Sequence, residues 1–386
     1  MPSVPRRFFA ASRVFALGLL LTACGGPAYG EAWVRAFNAG RRATAAGRYD
    51  EAETFYGQAA RDAVRAKDRD EAQFMQARML LRLGRTSDAR SLFDRMLTLS
   101  PEGPRAARVR FEQARLAVEA GDEGGWRMLE AAIARHSDAG AARGAVLDWV
   151  EHLRSEGGEE QVRARIDALL PKLTAGEAVQ HLEYERAISF ERSGKLAEAH
   201  EEFLRAARAH PLPRGNLTDD AYWRASFVAE KLADPSRAIA DLRELLEARE
   251  VAWFGQSYER PKFPLAQMRI AELYRDAVGD LRAAREEFRH VPERHPTSIL
   301  GDDAMWQEAL ASLRLGEPAE ACRAAQRLRE RYTSARYLSC LPSVCPTVPV
   351  AAGARECPAY ILAQLEPRAV LPKTTALDPE ARDDGG

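Results

Sequence analysis

Nothing in this sequence announces a reaction. It has no HExxH pair, no GxxxxGKS/T loop, no GxGxxG turn after a strand pattern and no GxSxG elbow. These absences remove the local signatures of zinc proteases, P-loop nucleotide binding, dinucleotide binding and α/β-hydrolase chemistry. Histidine is sparse: His136, His152, His181, His200, His210, His290 and His295, none at metal-ligand spacing with a cysteine or carboxylate pair. His210 and His295 each precede a proline, a position where histidine suits a helix C-terminus. No metal, cofactor or small-molecule substrate is expected, and the chain is read as a non-enzyme. A formal net charge of −1 gives no basis for nucleic-acid binding.

Long apolar runs are also missing. The single candidate is Val14 to Leu21, preceded by Arg6, Arg7 and Arg13, with no acidic residue before Glu31. Such a run is too short to span a bilayer and reads as a secretory signal. It ends in Leu21-Thr22-Ala23-Cys24. Removing residues 1–23 takes away three arginines and leaves 53 basic against 57 acidic residues, a charge of −4.

What the chain does contain is a repeat. Glycines stand at Gly47, Gly84, Gly121, Gly157, Gly194, Gly279 and Gly316, with Ala233 in the remaining slot, at spacings of 37, 37, 36, 37, 39, 46 and 37. A glycine can take the left-handed conformation that ends a helix, so a recurring glycine between two helical patterns marks the turn of a hairpin. Five residues after each slot stand Ala52, Ala89, Trp126, Val162, Ala199, Ala238, Ala284 and Ala321. Seven before it stand Gly40, Ala77, Ala114, Val150, Ala187, Ser226, Glu272 and Ala309. Mostly small residues on both helices allow close approach of their axes. Four residues further on, Tyr56, Phe93, Glu130, Ile166, Phe203, Leu242, Phe288 and Ala325 supply the filling on the same face. The slots at Trp126 and Val162 fit least well.

The pattern resembles the tetratricopeptide repeat (TPR), with a small residue in helix A, a Gly turn, A-x3-F-x2-A in helix B, and a closing proline at Pro101, Pro211 and Pro296. The resemblance covers residues 31–335 and implies an all-α solenoid of about eight helical hairpins whose role is to bind other proteins; a HEAT-like array is the structural alternative. The run from His295 to Ala304, with Pro296, Ser298, Asp302 and Asp303, is similar to a link found in BamD-like and Tol-Pal-coordinator-like envelope proteins. The Leu-Thr-Ala-Cys ending resembles the bacterial lipoprotein box, which implies diacylation of Cys24. Two or three acyl chains would anchor the chain stably. Gly25, following the cysteine, implies the outer membrane, facing the periplasm. Residues 25–30 could reach only about 20 Å at ~3.5 Å per residue, which would hold the array close to the bilayer.

The expected organisation is therefore a signal at 1–23, a lipidated tether at 24–30, the solenoid at 31–335, a Pro/Cys-rich cap at 336–370, and a disordered tail at 371–386. Cys322, Cys340, Cys345 and Cys357 cluster at one end. In an oxidising compartment they read as two disulfides, with three connectivities open; a zinc site fits the Cys-x4-Cys-x11-Cys spacing poorly. The cap is expected to fold over the open face of the last hairpin.

Two groups of aromatics are candidates for partner binding. Ten residues before each slot stand Phe37, Phe74, Phe111, Leu147, Tyr184, Trp223, Arg269 and Trp306, a row that either packs between repeats or lines a groove. Between repeats six and seven an insertion carries Trp253, Phe254, Tyr258 and Phe263, aromatic bulk that either contacts a partner or plugs a bend. The functional expectation is a scaffold for envelope proteins. Alternatives are an assembly factor or pilotin-like lipoprotein for a secretion, motility or β-barrel assembly machine, and an enzyme, or an enzyme's accessory subunit, of cell-wall metabolism.

Overall fold

A computed structural model describes residues 30–174, 176–248, 261–349 and 356–366. The signal, Cys24 and the tail expected at 371–386 lie outside the described residues, as do Trp253, Phe254 and Tyr258. The described residues are helical and contain no strand, and none of their helices is long and apolar enough to cross a membrane. Contacts divide the chain into two compact units, one up to Ala132 and one from Ile133. The division falls inside the third repeat.

In unit 1, α1 (Glu31–Ala45) pairs with α2 (Tyr49–Asp62) and α3 (Ala66–Arg82) with α4 (Thr86–Leu99); α5 (Ala106–Glu119) is followed by α6 (Gly125–Arg135), whose end crosses the division. Unit 2 continues with α7 (Ala142–Leu169), two helices joined across a kink at Gly158. It goes on through the pairs α8 (Glu177–Arg192) and α9 (Leu196–Ala209), α10 (Thr218–Lys231) and α11 (Pro235–Glu247), α12 (Lys262–Leu273) and α13 (Leu281–Arg294), and α14 (Gly301–Arg314) and α15 (Pro318–Arg331). Two four-residue helices follow, α16 (Leu341–Val344) and α17 (Ala359–Leu362). The chain is thus an α-solenoid of eight helical hairpins with a short cap.

The turns explain the glycine row. Gly47, Gly84, Gly121, Gly158, Gly194, Gly279 and Gly316 all have φ between 68° and 81°. At six slots the N–H after the turn residue bonds back to the carbonyl five residues earlier, as in Arg48 N–H to Ala43 O at 2.9 Å and Lys195 N–H to Phe190 O at 3.0 Å. This pattern satisfies the last carbonyls of helix A. Ala233 holds the same left-handed position at φ 58°, which costs an L-residue roughly 1–2 kcal/mol. Ala233→Gly should therefore raise stability by about 0.5–1 kcal/mol, after the extra chain entropy of glycine is subtracted. A thermal melt checks this, and a lowered midpoint would mean that Ala233 is not strained.

Expected positions in three repeats are corrected. The turn of the fourth repeat is at Gly158, not Gly157. In the third repeat the buried residues of helix B are Gly125, Leu129, Ala132 and Ile133, and Trp126 and Glu130 are not among them. Helix B of the fourth repeat buries Val162, Ile166 and Leu169, so both repeats reach their core one residue sooner after the turn glycine than the other six. Gly125 occupies the small position itself: a Cβ there would fall 2.6 Å from the Val118 backbone nitrogen. In the seventh repeat a π-helical turn at Tyr274–Val278 adds one residue to the end of helix A. It moves the small position from Glu272 to Ala271, which is fully buried.

The cap covers the last hairpin. Tyr337, Cys340, Leu341, Val344, Cys345, Val348 and Ile361 form one core with Met305, Trp306, Ala309, Leu310, Ala324, Ala325 and Leu328. Disulfides join Cys322 to Cys345 and Cys340 to Cys357. The first ties the cap to α15, and the second closes it on itself. Among the described residues, no cluster of side chains could hold a metal ion.

Candidate functional site

Three of the helix A aromatics pack inside their own hairpins. Phe37 meets Tyr56 edge-on at 5.3 Å between ring centroids, Phe74 lies 6.1 Å from Phe93, and Tyr184 meets Phe203 at 5.3 Å. In each case a residue of the aromatic row packs on the large helix B residue of its own repeat, in the offset geometries that aromatic pairs prefer. Trp306 is fully buried, stacked on Tyr337 at 5.0 Å. Phe263 is 2% exposed and belongs to the core between the sixth and seventh repeats. The expectation that Trp306 and Phe263 meet a partner is corrected: both are core residues. Tyr184 and Trp223 are half-buried, with Trp223 packed edge-on against Phe227, and burial pushes the Tyr184 phenol pKa up.

A polar ladder runs along the helix A side of unit 2, unnoticed in the sequence. Each rung joins a residue near the end of one helix A to a residue in the middle of the next. Arg154 bonds Glu185 at 3.2 Å, Arg224 bonds Glu191 at 3.0 Å, Arg269 bonds Glu230 at 3.0 Å, and Arg275 bonds Gln307 at 2.7 Å. Lys231 adds a second cation to Glu191 at 2.7 Å. At the far end the cap takes over, with Gln364 accepting from Trp306 Nε1 at 3.0 Å, from Gln307 at 3.1 Å, and, through its carbonyl, from Arg314 at 2.9 Å. The charged side chains of the rungs are only 6–19% exposed. Burial raises the Glu185 pKa, with Arg154 opposing. Such buried pairs add little net stability, but removing one partner is costly, so the ladder fixes how successive repeats stack.

A second polar feature is buried between helix B elements. His200 Nε2 lies 2.8 Å from Asp241 Oδ2, with both side chains under 5% exposed. Glu308, 1% exposed, is held by Arg289 at 2.8 Å and Arg327 at 2.7 Å. Their partners are side chains of the same and neighbouring helices, and their arrangement is that of packing supports.

Unit 1 differs. Six residues before its turn glycines stand Arg41, Arg78 and Arg115. With the extra residue of the fourth and seventh repeats counted, the same position in unit 2 holds Glu151, Ile188, Phe227, Glu272 and Leu310. Phe227 and Leu310 are buried, whereas Arg78 lines a groove of about 340 Å³. Its walls are Arg78, Leu81 and Arg82 of α3, Thr86 of α4, and Glu112, Arg115, Leu116 and Glu119 of α5. Arg115 is neutralised by Glu112 and Glu119, both at 2.7 Å. Arg78 and Arg82 have no hydrogen-bond or ion-pair partner among the described residues. The groove can therefore receive an anion without breaking a native contact.

Residues 37–104 and, separately, 303–334 match family models described as Tetratricopeptide repeat. Both stretches are tetratricopeptide repeats. The two matched stretches hold the first two hairpins and the last, and the intervening hairpins repeat the same turn and packing. No curated protein matches the chain. Among solved structures, the TPR domain of P58(IPK) aligns at 15% identity over 81% of this chain and 87% of that one, with a TM-score of 0.26; a score that low carries no argument. A TPR array presents helical faces to protein partners, and in unit 1 such a face carries the unpartnered Arg78 and Arg82.

Proposed function

We propose that this TPR protein is a lipid-anchored scaffold, held through Cys24 at the periplasmic face of the outer membrane, where it brings envelope proteins together. The observation that carries the compartment is the pair of disulfides closing the last repeat, since such bonds persist in oxidising compartments. The Leu21-Thr22-Ala23-Cys24 box supports the anchor. Support for the scaffold role comes from the repeats themselves, whose hairpins are joined in unit 2 by the polar ladder.

Cys24→Ala should abolish fatty-acid incorporation and move the protein from the membrane to the soluble fraction. Labelled palmitate and fractionation check this; unchanged membrane association without the cysteine would sink the anchor. Photo-crosslinkers placed on the helix A side of the array, in intact envelopes, should capture protein partners. A purified chain that cleaves peptidoglycan, and loses that activity on mutation of one polar side chain, would replace the scaffold reading with an enzymatic one.

A further inference from the structure

Resting on the scaffold reading, we infer that the groove between α3 and α5 is the partner-reading site of unit 1, and that it takes an acidic segment of another protein through side-chain carboxylates seated on Arg78 and Arg82. Three observations converge. The position six residues before the turn is arginine in all three repeats of unit 1 and in none of unit 2. In unit 2 the ladder pairs Arg154, Arg224 and Arg269 with carboxylates of the neighbouring helix A, whereas Arg78 and Arg82 have no partner among the described residues. Arg78 and Arg82 line one wall of an open groove, with Glu112, Arg115 and Glu119 on the other.

The chemistry of the walls selects the ligand. Arg78 and Arg82 are one helical turn apart, so their guanidinium groups can lie side by side on one face. Guanidinium matches a carboxylate in a two-bond fork. Glu112 and Glu119 on the opposite wall are already paired with Arg115, and they disfavour a compact multivalent anion while tolerating single carboxylates spaced along a chain. A volume near the lower end of that of small-molecule sites, with a charged rather than apolar lining, suits a peptide side chain more than a buried organic ligand. Arg41, at the same position one repeat earlier, is also exposed and unpartnered among the described residues, and it extends the basic stripe for the next acidic residues of the segment.

The test uses the mature full-length chain and a fluorescent hexaglutamate peptide blocked at both ends, followed by anisotropy at low salt. Hexaglutamate should bind, and Arg78→Gln with Arg82→Gln should weaken it at least about tenfold, the effect of losing charge-assisted hydrogen bonds. Arg82 is exposed, so Arg82→Glu alone cannot fail through lost packing and should weaken binding as well. Arg323→Gln, an exposed arginine of unit 2, should leave it unchanged. The inference is overturned if hexaglutamate does not bind, if Arg82→Glu binds as tightly as wild type, or if Arg323→Gln weakens binding equally. It is also overturned if hexaglutamine with a free C-terminus binds as well, because the group being read would then be a chain end. Envelope crosslinks through unit 2 without hexaglutamate binding would leave the scaffold reading standing and remove this one.

Discussion

Replacing Trp306 with alanine should destabilise unit 2 by about 3–5 kcal/mol, the usual cost of removing a buried aromatic. The residue is 0% exposed, stacks on Tyr337, and donates its indole N–H to Gln364 at 3.0 Å. It therefore joins the last repeat to the cap by area and by a hydrogen bond at once. Alanine would leave a cavity in the core that Met305, Leu310 and cap residues share, and would remove one of the two donors to the Gln364 side-chain oxygen. Trp306→Phe separates the two effects, because it keeps most of the ring and loses only the donor; its cost should be nearer 1–2 kcal/mol. Since repeat arrays unfold in neighbouring blocks, hydrogen exchange is the better measure than a single melting point. Amides of α14, α15 and the cap should lose protection, while those of α1 to α4 keep theirs. Unchanged protection in α14 would mean that the cap adds nothing to the last hairpin.

The hairpins were legible in the sequence because their determinants are local. A left-handed turn residue, a small residue seven before it and another five after it sit within one repeat, so a fixed count from glycine finds them. The same count misplaced the third, fourth and seventh repeats for a physical reason. A turn shortened by one residue put Gly125 and Leu129 where counting gave Trp126 and Glu130, and the π-helical turn before Gly279 put Ala271 where it gave Glu272. The third repeat looked degenerate only because it was read out of register.

The polar features were not legible, because they are relations between repeats. Arg154 and Glu185, or Glu230 and Arg269, are 31 and 39 residues apart, and their rows align only after the extra residue of the fourth and seventh repeats is counted. Burial of Phe263 and Trp306 was equally hidden: an aromatic in a helix looks the same whether it meets a partner or its own core. The unpaired state of Arg78 could be known only once its neighbours were placed. A row of three arginines at one register position was nevertheless visible, and its loss after the third repeat was the available signal.

A chain with all four C-terminal cysteines replaced by serine should keep the solenoid and lose the cap. The cap cannot hold itself by secondary structure: α16 and α17 have four residues each, far below the length at which an isolated helix is stable. Its hold comes from the core on Trp306 and Leu328 and from the two bonds, Cys322–Cys345 and Cys340–Cys357, which span 23 and 17 residues. Loops of that size correspond to about 3 kcal/mol each in the chain-entropy view, comparable with what a few buried side chains supply. Losing both should shift the cap toward an open state that exposes Met305, Leu310 and Leu328. Limited proteolysis should then cut between Arg331 and Arg336, leaving a trimmed array with the helical signal of the parent. The paired variant Cys340→Ser with Cys357→Ser should be milder, because Cys322–Cys345 still ties Cys345 to α15. A quadruple variant that resists protease as the parent does would show that apolar packing alone retains the cap.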